Sequence, residues 1–104
     1  AEAAWLLPYR DRLRSRFPRL TLAEGMRLER EVQWEQAAEV YEGALELDNL
    51  AESLYRRLMI CHQQRGEFSE VQRVYRRCRD MLSVVLGVRP SAETEAIRAA
   101  SSGV

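Results

Sequence analysis

Apolar side chains recur at intervals of three and four along most of this 104-residue chain, which is helical spacing, and no stretch alternates with period two. The pattern predicts an all-α protein of about five helices, over about 8–31, 33–47, 50–65, 67–86 and 91–100. On a wheel turning about 100° per residue, Trp34, Ala37, Ala38, Val40, Tyr41, Ala44, Leu45 and Leu47 fill about half the circumference of the second helix. A helix lying on a single neighbour needs a stripe only about 100° wide, so this one is expected to be buried on two sides. Phe68, Val71, Val74, Tyr75, Cys78, Met81, Leu82 and Val85 give the fourth helix a similarly broad face.

The punctuation agrees with these elements. Pro8 suits a first helical turn, where no hydrogen-bond donor is needed. Pro18 lies inside a helical pattern and is expected to kink it near Arg14 to Phe17. Asp48-Asn49 breaks the pattern again, and Asn49 with Glu52 three residues on predicts a capping box. Gly66 is expected to end the third helix in the left-handed region, and Gly87 marks the end of the fourth. Pro90-Ser91 opens the last helix, with Glu93 and Glu95 near its positive dipole end.

Superposing the helices reveals a period of 34: Trp34 falls on Phe68, Ala37 on Val71, Tyr41 on Tyr75 and Ala44 on Cys78. One helix earlier, Leu20 falls on Leu54 and Leu28 on His62. Small residues let helix backbones approach, and an aromatic fills the gap between successive hairpins. The pattern resembles a tetratricopeptide repeat, although the first helix has Thr21 and Glu24 where the third has Tyr55 and Leu58. It implies antiparallel hairpins stacked in a right-handed superhelix, about two and a half of them.

A closer likeness lies in three stretches: Asp48-Asn49-Leu50-Ala51-Glu52-Ser53-Leu54-Tyr55-Arg56-Arg57-Leu58-Met59, Val74-Tyr75-Arg76-Arg77-Cys78-Arg79, and Leu86-Gly87-Val88-Arg89-Pro90-Ser91-Ala92-Glu93-Thr94. Together they resemble the bacterial transcriptional activation domain of antibiotic-regulatory-protein-type and related large activators, over about residues 8–100. Asn49 stands where that family commonly has Pro, and Pro18 where it has a continuous helix. The resemblance implies a regulatory, non-catalytic module of a cytoplasmic protein. Its partners would be other domains of the parent regulator, a second copy of the chain, or RNA polymerase. DNA would be bound through a separate winged-helix domain. The chain opens on Ala rather than Met, and is expected to be one domain, residues 1–104, of a larger regulator.

Composition sharpens this in a few places. Sixteen basic and sixteen acidic residues cancel, so global charge favours neither nucleic acid nor an anionic membrane. No apolar run has the length of a membrane span. Cys61 and Cys78 both fall in apolar helical stripes and are expected to be free and buried. His62 is the only histidine, and helix geometry points it about 100° away from Cys61. No metal, cofactor or catalytic site is therefore expected, and no Gly-rich phosphate loop occurs.

Local charge is more telling than the total. Glu31, Glu35, Glu39, Glu42 and Glu46 lie within about 80° of one another on the wheel. Like charges at these spacings cost about 0.2–0.5 kcal/mol per pair, so either Arg56, Arg57, Arg73 or Arg77 or a basic partner should answer them. Arg10, Arg12, Arg14, Arg16 and Arg19 surround the first helix rather than forming one strip. Arg10 and Arg14 share a face suited to an acidic neighbour. Trp5, with Leu6 and Leu7, is apolar enough to pack on a hairpin or an adjoining domain. Two other functions stay open at this point. Tyr55, Met59 and His62 could line a groove for a small ligand, or the Arg10–Arg19 cluster could bind nucleic acid directly.

Overall fold

Why the helices start and stop where they do is clearest at the two tight turns of this computed structural model, which describes residues 19–102. In the first turn the Glu31 amide donates to the carbonyls of Arg27 and Leu28 at 3.2 and 3.1 Å. Thirty-four residues on, the Arg65 amide donates to those of Cys61 and His62 at the same two distances. Gln33 to Leu28 and Glu67 to His62 repeat likewise, both at 2.9 Å. The period seen in side chains is thus a period in backbone hydrogen bonds. At the apex Gly66 has φ +73°, as expected, while its equivalent is Val32 at φ +60°. A β-branched residue there is strained.

These turns separate α1 (19–30), α2 (Trp34–Leu47), α3 (Glu52–Gln64) and α4 (Phe68–Met81). A π-helical turn, Leu82–Leu86, extends α4, and Gly87 at φ +67° ends it before α5 (Ala92–Ala100). Strands are absent among the described residues. Helix α2 packs on α3, α3 on α4, and α5 returns to cover α3 and α4, giving tetratricopeptide-like hairpins. Pro18 and its expected kink lie outside the described residues.

Tyr41, Tyr55, Leu45, Leu54, Leu58, Met59, Val71 and Val74 form the buried centre, with Ala37 and Ala44 admitting the neighbouring backbones. Tyr41 lies so close to Gly25 that a Cβ there would sit 2.2 Å from its ring. Of the paired aromatics, Tyr41 and Tyr75 are the wedges; Trp34 is half-buried, and Phe68 is 44% exposed at the start of α4. Leu47 and Val85, expected inside, are exposed. Both lie at helix ends, where no described helix continues far enough to cover them. Leu20 is likewise exposed although its equivalent Leu54 is buried, because α3 has described helices on both sides.

The expected capping box does not form. Ala51 precedes α3 and no side chain caps it. Asn49 instead offers its carbonyl to the Tyr55 hydroxyl at 2.7 Å. Glu52 reaches across to the start of α5, accepting from the Ser91 amide at 2.8 Å and from the Thr94 hydroxyl. Two donors at the start of α5 outweigh one local amide.

Candidate functional site

Glu35, Glu39, Glu42 and Glu46 share one face of α2, while Glu31, expected with them, falls in the turn before it, and the structure treats the five unequally. Glu31 is held by Arg27 at 2.7 Å, and Glu42 by Arg77 at 2.7 Å. Glu35, Glu39 and Glu46 are exposed and, among the described residues, have no ion-pair partner. Of the four arginines expected to neutralise this face, only Arg77 does so. Arg56 turns to Glu52 and Glu93, Arg57 to Glu29, and Arg73 to Glu70. Arg56 and Arg73 each have a carboxylate on their own helix, Glu52 and Glu70, which costs less side-chain entropy than spanning to α2, whereas Arg57 is drawn across to the buried Glu29 of α1.

Two cavities adjoin along this face. One, of about 530 Å³, is lined by Glu35, Glu39, Glu42, Gly43 and Glu46 with His62, Arg65 and Arg73 opposite. The other, of about 510 Å³, is lined mainly by Leu45, Tyr55, Met81, Val84 and Val85, and Glu46 borders both. Arg77 lies on the second wall with its guanidinium 5.8 Å from the Tyr55 ring centre. Along and just after the π-helical turn several aliphatic side chains are strongly exposed for their type: Val84 is 83% accessible, with Val85, Leu86 and Val88 about half so.

Tyr55, Met59 and His62, which could have lined a groove for a small ligand, border no common cavity. Met59 is fully buried, Tyr55 borders the apolar cavity, and His62 edges the acidic one with Nδ1 2.9 Å from Glu67. They belong to three environments because α3 is covered on more than one side. Cys61 and Cys78 are free and buried, and burial pushes both thiols up to about 12. No three His, Cys, Asp or Glu side chains gather as a metal site among the described residues. Nor is any helix among them long and apolar enough to cross a membrane. Trp5, Arg10 and Arg14 lie outside the described residues, as do Arg12 and Arg16.

Two polar networks escaped the sequence reading. Glu29, 7% exposed, accepts both from the Tyr41 hydroxyl and from two nitrogens of Arg57, fastening α1, α2 and α3 together. Burial, with this carboxylate beside it, pushes the Tyr41 phenol well above its usual range. The period held a clue, since Glu29 is equivalent to Gln63, whose amide donates to Ser101 of the C-terminal segment at 2.8 Å. The second network is the Glu52 clasp, which Arg56 completes through Glu93, Ser91 and Thr94. It gives the Pro90-Ser91-Ala92-Glu93-Thr94 stretch its physical meaning: that stretch is the latch that docks α5.

The comparison with known families bears on the whole arrangement. A family model described as "Bacterial transcriptional activator domain" matches residues 1–100. No curated protein and no solved structure matches the chain. The match spans both the 34-residue hairpins and the latch that closes them, and the family is a regulatory one rather than an enzyme family. This chain belongs to the bacterial transcriptional activator domain family.

Proposed function

We propose that this activator domain works as a protein-docking module of a cytoplasmic transcription regulator. It would hold the regulator's other domains, a second copy, or RNA polymerase, with DNA bound elsewhere in the parent protein. Family membership supports the regulatory setting. The observation that carries the docking role is the exposed run Val84, Val85, Leu86 and Val88, on a scaffold whose buried polar side chains all have partners among the described residues. A contiguous run of exposed aliphatic groups marks an interaction site, and fully burying such a side chain would contribute about 1.5–3 kcal/mol. A ligand-sensing role has less support, because Tyr55, Met59 and His62 do not converge.

Val84→Asp combined with Val85→Asp tests the proposal in the parent regulator. Both side chains face solvent, so melting should move by no more than about 0.5 kcal/mol equivalent. Co-purification of partner domains, or the apparent mass of the regulator, should change, with binding at least about tenfold weaker. Unchanged association and unchanged transcription would remove the docking role.

A further inference from the structure

The apolar cavity beside Val84 and Val85 adjoins a helix face where Glu35, Glu39 and Glu46 have no ion pair among the described residues, while Arg65 and Arg73 across from them are committed to Glu67 and Glu70, and this juxtaposition specifies a partner. From Glu35 to Glu46 is eleven residues, or about 16 Å along the axis. That span is too long for one cation to gather the carboxylates, since metal–oxygen bonds are only about 2.0–2.6 Å. It is the length of about five residues of extended chain. Repulsion between neighbouring acids on one helix face is relieved by cations arriving from outside. Glu42 shows what such relief looks like, because Arg77 already supplies it there at 2.7 Å. The aliphatic stem of Arg77 and the Tyr55 ring beneath it mark where the groove changes from acidic to apolar.

We infer that this groove docks a short basic segment of a partner protein ending in one bulky apolar side chain. The apolar group fills the cavity walled by Leu45, Met81, Val84 and Val85, and Arg or Lys side chains meet Glu46, Glu39 and Glu35 in turn. The inference rests on the docking function proposed above and gives the partner its chemistry. Charge sets the direction of the bound segment, and the apolar anchor sets its register.

Selection of a randomised peptide library on the intact chain tests it. Selected sequences should combine two or three Arg or Lys with one Leu, Met, Phe or Trp at one end. Binding should weaken at least about tenfold in Glu39→Arg with Glu46→Arg, and equally in Val84→Asp. It should also fall steeply as salt rises to about 0.3 M. Peptides with Glu in place of their Arg or Lys should bind the charge-reversed chain and not the original. A selection that returns acidic or uncharged sequences, or nothing, overturns the inference, as does equal binding to the charge-reversed chain. The same variants in the parent regulator separate the two claims. If Val84→Asp with Val85→Asp releases the partner while Glu39→Arg with Glu46→Arg does not, docking stands and the basic segment falls. If neither releases it, both fall.

Discussion

At the residue scale, two turn positions 34 apart have the same backbone and different side chains. Val32 sits at φ +60° and is 67% exposed, so its methyl groups contribute little packing to offset the strain. Val32→Gly is expected to stabilise the chain by about 1 kcal/mol, read as a higher urea midpoint with unchanged slope. The equivalence of Val32 with Gly66 could have been read from the period, since the positions differ by that interval. Gly25 is the opposite case. Its close contact with Tyr41 leaves no room for a side chain, and Gly25→Val should cost at least about 1–3 kcal/mol by forcing the ring away from Glu29. A melting temperature within a degree of the parent would show that the ring yields freely. The space at Gly25 was not visible in the sequence, because an isolated Gly in a helix looks like surface, and the only trace of the buried Glu29 was its 34-residue equivalence with Gln63.

At the element scale, the latch between α3 and α5 gives stability a pH dependence. Burial acts to raise the Glu52 carboxyl, but hydrogen bonds from Thr94 and Ser91, with the Arg56 charge, outweigh it and hold the group below its usual range. A carboxyl lowered in the folded state adds stability above its unfolded value of about 4.3 and loses it as pH falls through the lower folded value. Glu52→Gln should therefore destabilise by about 1–2 kcal/mol at pH 7, and the gap from the parent should close below about pH 4. Denaturation curves of both proteins across that interval check this; a constant gap would mean that the latch does not depend on the charge. The sequence placed Glu52 in a helix start and Ser91 before another, both correctly as elements. Which of them the carboxylate would serve depends on how α5 folds back, a contact between residues 39 apart.

At the scale of the whole molecule, Cys61 on α3 and Cys78 on α4 report on opening of the stack. Both are fully buried, and burial pushes both thiols up to about 12, so native thiolate is scarce at pH 8. Alkylation there should proceed only through unfolding, both thiols reacting at one rate that mild urea accelerates together. One cysteine reacting ahead of the other would show that the hairpins open separately.

Periodicity alone determined the helices, the 34-residue repeat and the roles of Tyr41 and Tyr75, because helix formation and one-sided burial are local consequences of spacing. The terminal Pro-Ser-x-Glu-Thr stretch likewise carried the family into view before any fold was known. Tertiary structure alone decided which arginine meets which glutamate, why Phe68 stands half in solvent, and how an acidic strip comes to border an apolar cavity. Those outcomes depend on distances between helices, and a long charged side chain has several partners within reach until packing leaves one.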